Sequence, residues 1–198
     1  MSLIAGVAIL LRSGGQFLFE IQKTAKWRRR PDGLVEIGVG CIGGSLQLRE
    51  TPRQALEREV REEIGCGIEI EPAPRTFLVD PRGAVRRLAP REVPEGAFFL
   101  WERARGGPGF IPGARVAVYL GRVLGDPAPS DLPAILEMTL LTLRESLDGT
   151  LMLQDLMDRS AILREREPVP RRARVRPVDT ARVVAELMVR VPGFLREL

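Results

Sequence analysis

The 198-residue chain contains no histidine and no asparagine, two cysteines and one tyrosine. Without histidine, a Ser-His or Cys-His nucleophile pair, a histidine general base and a His-ligated zinc site are all excluded. Cys41 and Cys66 are too few for a disulfide framework and have the wrong pattern for zinc, so they read as reduced, packed thiols. No run of about 18 apolar residues is present, which excludes a membrane-spanning helix. The apolar stretch 4–11 is too short to span and lacks a basic leader, so it predicts a buried strand and a cytoplasmic protein. Lysine occurs at positions 23 and 26 alone, so the net charge of +4 comes almost wholly from arginine. Proton transfer and any metal binding therefore fall to carboxylates, and oxygen-only ligands select hard cations such as Mg²⁺ or Mn²⁺.

The length fits one domain over residues 1–198, with 148–198 as a helical C-terminal extension packed on it. Apolar runs at 4–11 and 16–21 flank Ser13-Gly14-Gly15 and predict a hairpin. Residues 26–31 form a basic loop, and 35–42, 67–70, 76–80 and 114–124 read as strands. The stretch 81–113 is rich in proline, glycine and arginine, with one apolar island at 97–101. Helical patterns run over 143–147, 151–165 and 180–189, and an arginine-rich, proline-punctuated linker is expected between the last two. The mixture of strands and helices predicts an α/β architecture.

The densest signal lies between Gly44 and Cys66. Thr51 is a suitable N-cap, Pro52 suits the first helical position, Gln54 completes a Thr-x-x-Gln capping box, and Gly65 supplies the stop. Leu56, Val60 and Ile64, spaced by four, form the apolar stripe of this helix. Glu59, Glu62 and Glu63 then project together from an adjoining strip, where like charges repel and the helix C-terminus disfavours anions. A bound cation would remove both objections. The plainer alternative is a solvated helix face tied by an Arg58 to Glu62 pair.

The wider spacing favours the first reading. Gly44, five residues, Glu50, seven residues, then Arg58-Glu59-Val60-x-Glu62-Glu63-x-Gly65-Cys66 resembles the signature of the Nudix hydrolases. Chance would produce that set on the order of once in 10⁵ sequences from residue frequencies. The chain departs from the family pattern at Ile42, usually proline, and at Cys66, usually aliphatic. The resemblance implies a Nudix α/β/α sandwich with a mixed sheet. It also implies hydrolysis of a nucleoside diphosphate linked to a moiety X, with Mg²⁺ or Mn²⁺ as cofactor. Position by position, Glu59 and Glu63 match the main metal ligands, Glu62 a further ligand and the Gly44 carbonyl another. Arg58 matches the residue that orients the first glutamate, and Glu50 a supporting position. The general base is Glu59 or a carboxylate on a downstream loop, for which Glu137 is the candidate and Glu92, Glu95 and Glu102 are rivals. Lys23 occupies the basic position that closes the family's second strand.

Arg28, Arg29 and Arg30 beside Trp27 could grip phosphates while the indole stacks on a base. The partner is a small nucleotide, with ADP-ribose or a nucleotide sugar placed ahead of a nucleoside triphosphate. A nucleic-acid partner is disfavoured, because no RNA-binding aromatic motif accompanies the basic segment 168–177. An RNA-end pyrophosphohydrolase and a non-catalytic nucleotide-binding or regulatory protein on the same fold are the alternatives. The C-terminal helices could mediate self-association as a homodimer.

Overall fold

Strand β1 (Ile4–Ser13) turns through Gly14-Gly15 into β2 (Gln16–Ile21), the hairpin expected from the sequence. The computed structural model describes residues 3–73, 75–89, 93–103, 113–191 and 193–194. A 3₁₀ turn at Thr24–Lys26 leads to β3 (Arg28–Arg29), β4 (Val35–Gly40) and β5 (Ile42–Ser45). Helix α1 (Pro52–Ile64) follows, and then β6 (Gly67–Glu71), β7 (Phe77–Val79), β8 (Val85–Arg87), β9 (Ala97–Glu102), β10 (Arg115–Leu124) and β11 (Ala134–Met138). The chain continues through α2 (Leu140–Glu145), α3 (Leu153–Asp158), β12 (Ile162–Glu165), β13 (Arg174–Pro177) and α4 (Asp179–Arg190).

The sheet is mixed. β1 runs parallel to β10, β7 to β9 and β13 to β4, while β1–β2, β2–β11, β1–β5, β10–β9 and β11–β12 are antiparallel. Period-2 alternation in β1 divides the core. Val7, Ile9 and Leu11 face one side together with Leu18 and Ile42, and there α1 inserts Leu56, Val60 and Ile64. Each such side chain stabilises by about 1.5–3 kcal/mol when fully buried. Ala8 and Leu10 face the other side, against Phe19, Phe98 and Val118, and are covered by Leu143, Leu153, Leu156, Val184 and Leu187 from α2, α3 and α4. Helices therefore lie on both faces, which is the α/β/α sandwich that the box motif implied.

The local signals of α1 act as anticipated. Thr51 accepts from the Gln54 amide while the Gln54 side chain accepts from the Thr51 amide at 2.9 Å. Gly65 closes the helix at φ 67°, a left-handed conformation that costs an L side chain energy.

Three expectations need revision. The helix expected over 151–165 stops at Asp158, because Ser160 takes a positive φ of 72° and the chain reverses into β12, which pairs with β11. The 168–177 linker contains β13, whose Val175 is buried in the core. The 148–198 stretch thus supplies two strands as well as two helices. Within 81–113, β8 adds a short strand; residues 90–92 and 104–112, with Glu92 among them, lie outside the described residues. Among the described residues no helix is long and apolar enough to cross a membrane.

Candidate active site

Six segments meet at one cavity of about 480 Å³: β1, the end of β2 with the turn after it, the Gly43-Gly44 corner with α1, the end of β9, the start of β10 and the start of α4. The β5–β1 pairing places Gly44 opposite Val7, and the peptide run from Ser45 to Thr51 then launches α1 back across the sheet. Helical spacing of four puts Glu59 and Glu63 on the same side, and both line the cavity. Glu62, one position off that face, does not. Its side chain is 55% exposed, against 15% for Glu59.

Arg58 organises this end of the helix. Its Nε and one terminal nitrogen donate to the two oxygens of Glu50 at 2.9 and 3.0 Å. The other terminal nitrogen donates to Glu59 at 2.8 Å and to Glu62 at 3.1 Å, and the Ser45 carbonyl accepts a further bond at 3.1 Å. Glu50 also accepts from the Gln47 amide. Arg58 hydrogen bonding first, and then that amide, hold the Glu50 carboxyl below the usual carboxylate range. Glu50 is thus a support for Arg58, and the solvated-pair alternative accounts for Glu62 but not for Glu59.

Close approach explains the glycine of the corner. A Cβ on Gly44 would collide with the Glu59 carboxylate, so only the bare backbone lets the two meet. Glu63 accepts from the Gly43 amide at 3.2 Å. Burial, followed by repulsion from Glu20, raises the Glu63 pKa to about 8 against that hydrogen bond. The C-terminus of α1 is anchored in turn by the loop before β11. The Ala128 amide donates to the Ile64 carbonyl at 3.0 Å, the Ser130 amide to the Glu63 carbonyl at 2.9 Å, and the Ser130 hydroxyl to the Glu62 carbonyl.

Glu20 is a member of the site that the motif does not contain. It lies in β2 opposite Gly40 and lines the same cavity. Burial pushes its pKa up to about 7, with Asp179 and Glu59 adding to the rise while Lys26 and Lys23 oppose it. A signal was present: Glu20 is the sole charge in the run Phe17-Leu18-Phe19-Glu20-Ile21. Asp179, from α4, had no local signal. Lys23 lines the cavity and pairs with Asp131 at 2.5 Å.

The remaining sequence candidates separate. Glu137, expected in a loop, sits in β11, is 4% exposed and accepts from Arg164 at 2.9 Å. It does not line the cavity, because β11 lies beyond β2 and Arg164 of β12 holds its carboxylate there. Glu102 is paired with Arg115, and Glu95 is exposed at another face. Trp27 and Arg28 line a second cavity beside the first. Arg30 is committed to Glu36 at 2.7 Å, and Arg29 does not line either cavity.

Among the described residues no group of three or more His, Cys, Asp or Glu side chains is positioned to hold a metal ion. The donors nonetheless have the chemistry of a hard-cation site. Glu20, Glu59 and Glu63 share one cavity, and burial, with smaller contributions from the neighbouring carboxylates, raises the pKa of Glu20 and Glu63 there. A divalent cation would compensate the charge of these carboxylates, with the Gly44 backbone at hand as a neutral oxygen donor.

No family model matches the chain, and no curated protein matches it. Solved structures do. A MutT NUDIX hydrolase from Burkholderia pseudomallei is 17% identical over 94% of this chain and 98% of that chain, with a TM-score of 0.44. An ADP-ribose pyrophosphatase from Streptococcus suis is 16% identical over 68% of this chain and 72% of that one, with a TM-score of 0.38. A NUDIX hydrolase from Nitrosomonas europaea is 14% identical over 70% of this chain and 58% of that one, with a TM-score of 0.39. The chain therefore spans less than two thirds of the Nitrosomonas protein. Identities this low assign neither substrate nor metal.

Proposed function

We propose that the chain is a Nudix-type hydrolase that uses a divalent cation to cleave the pyrophosphate linkage of a nucleoside diphosphate derivative. The observation that carries this reading is the meeting of Glu59 and Glu63 at the Gly43-Gly44 corner, with Glu59 held by an Arg58–Glu50 clamp at a cavity that Lys23 and Lys26 also line.

Glu59, Glu63 and the Gly44 carbonyl would hold the ion, with Glu20 as a further carboxylate within the same cavity. Mg²⁺ or Mn²⁺ bound there would neutralise charge on phosphoryl oxygens and acidify a bound water. Arg58 fixes the Glu59 carboxylate through a bond at 2.8 Å, so its oxygens are oriented before substrate arrives. Lys23 and Lys26 offset the charge of an incoming diphosphate. Water attacks one phosphorus in line, forming a new P–O bond as the bridging P–O bond breaks. The bridging oxygen keeps the electron pair, and the proton of the water passes to a carboxylate of the cavity, Glu59 in our assignment. Two phosphomonoesters result, the nucleoside monophosphate and phosphorylated X. ADP-ribose or a nucleotide sugar is placed ahead of a nucleoside triphosphate.

A panel of nucleoside diphosphate derivatives incubated with Mg²⁺, with products separated by chromatography, tests the reading. Turnover on at least one derivative is expected, and Glu59→Gln should lower it by roughly 10²- to 10⁴-fold while circular dichroism stays native. A folded Glu59→Gln protein of near-normal turnover would move the chemistry elsewhere.

A further inference from the structure

Beside the carboxylate cavity lies a larger one, of about 710 Å³, whose walls come from residues 22–28 on one side and 176–182 on the other. The two cavities share Lys26, Arg103 and Asp179, so they abut. Sheet register builds the second one. β3 and β13 flank β4, with Arg28 opposite Glu36 and Arg176 opposite Gly38. Residues paired across a sheet point to the same face, so both guanidinium groups stand on one side of β4, while Val175 turns into the core on the other. Gly38 contributes no side chain between them.

The charges there are not balanced. Glu36, the carboxylate nearest in register, is taken by Arg30 at 2.7 Å. Asp179 lies 3.5 Å from Arg103. Other arginines of the same basic segment are neutralised: Arg171 by Glu165 and Arg174 by Asp32. Arg28 and Arg176 form no ion pair with a carboxylate among the described residues, and both line this cavity with Lys26, whose charge also acts on Glu20. Concave walls concentrate the positive potential of such a group and draw in anions, and guanidinium forks match the oxygens of a phosphate.

We propose that this cavity is an anion subsite in which Arg28 and Arg176 hold a phosphomonoester carried by the substrate at a position remote from the scissile linkage. The substrate class then narrows to nucleotide derivatives that bear an additional phosphate. The placement along the substrate rests on the hydrolase reading of the neighbouring cavity, whereas the existence of the anion site does not.

The test uses the full chain without divalent metal. Titration with inorganic phosphate, followed by calorimetry, should show saturable binding. It should weaken about tenfold or more in Arg28→Gln/Arg176→Gln, the scale of lost charge-assisted hydrogen bonds. Arg87→Gln, an exposed change on β8, should leave it unaltered. Each single variant should weaken binding in part, so that a folding failure of the double variant does not end the test. In a second arm, NADP⁺ should bind more tightly than NAD⁺, from which it differs by one phosphomonoester, and the preference should vanish in the double variant. Absent phosphate binding, or binding indifferent to Arg28 and Arg176, overturns the subsite. Phosphate binding lost in the variant but without an NADP⁺ preference overturns its assignment to substrate and leaves a free-phosphate site. None of these measurements needs turnover, so failure of the hydrolysis panel is recorded separately.

Discussion

Arg58 and Arg164 each grip a glutamate, and the consequences differ because one glutamate lines a cavity and the other does not. Removal of Glu137 leaves the Arg164 bond unmade inside the sheet. Glu137→Gln is expected to cost about 1.5–3 kcal/mol of stability, the range for a hydrogen bond to a charged group, with kcat near that of the parent. Thermal melts and turnover on the same preparation check this, and a large kcat loss at unchanged stability would return Glu137 to the chemistry. Glu63 makes a separate prediction. Its folded pKa of about 8 lies above the ordinary 4.5, so across that window the folded protein binds more protons than the unfolded chain. Stability of the metal-free protein should therefore fall as pH rises from about 4.5 to about 8. Glu20, raised to about 7, acts in the same direction. Glu63→Gln should flatten the fall in Tm. Added Mg²⁺ should raise Tm most at the alkaline end, where the carboxylates are ionised. A parent Tm that rises through the window would contradict the sign.

At the scale of the element, α1 holds its glutamates in place through its two ends. The N-terminal capping box is worth about 1 kcal/mol, so Thr51→Ala should lower stability by that amount and leave turnover little changed, since Arg58 and Glu59 lie farther along the helix. Gly44→Ala should do the opposite. Gly44 sits at the sheet edge, where a methyl group would displace the Glu59 carboxylate, so turnover should drop by about 10-fold or more with a modest change in Tm. Comparing Tm with kcat for the two variants separates a helix that folds from a helix that presents its carboxylates. The α1 signals were legible in the sequence because each acts within a few residues: the cap, the proline, the stop glycine and the apolar stripe are local. The 151–165 stretch misled because its apolar pattern suits a helix, yet the chain reverses at Ser160 and pairs with β11, a partner more than twenty residues away.

For the whole molecule, the segment 174–191 and Phe194 are structural. β13 pairs with β4, and Val175, Val183, Val184 and Leu187 are buried against the sheet, while Phe194 packs on Phe98 with ring centroids 5.4 Å apart. Each of these contributes about 1.5–3 kcal/mol of burial, against a total stability of about 5–15 kcal/mol for a typical domain. Truncation after Glu167 is therefore expected to abolish cooperative folding, as read by circular dichroism and thermal melting. A truncated chain with a sharp transition near the parent Tm would show instead that the rest of the chain folds without this segment. The same segment brings Asp179 and Arg176 to the cavities, so loss of fold and loss of site are coupled.

The sequence by itself determined the chemistry that is excluded, the helix that carries Arg58, Glu59 and Glu63, and the glycine against which Glu59 lies. These follow from residue type, from spacing of three or four along one helix and, for Gly44, from its place in the signature that the segment resembles. Tertiary structure decided which carboxylates share a cavity: it admitted Glu20 and Asp179, left Glu62 in solvent and drew Glu137 to Arg164. It also decided that Arg176, read as part of a linker, stands across β4 from Arg28. The reason is that strand pairing joins residues far apart in the chain. Its register is set by which apolar faces can be buried together, a property of the assembled sheet that no short stretch of sequence carries.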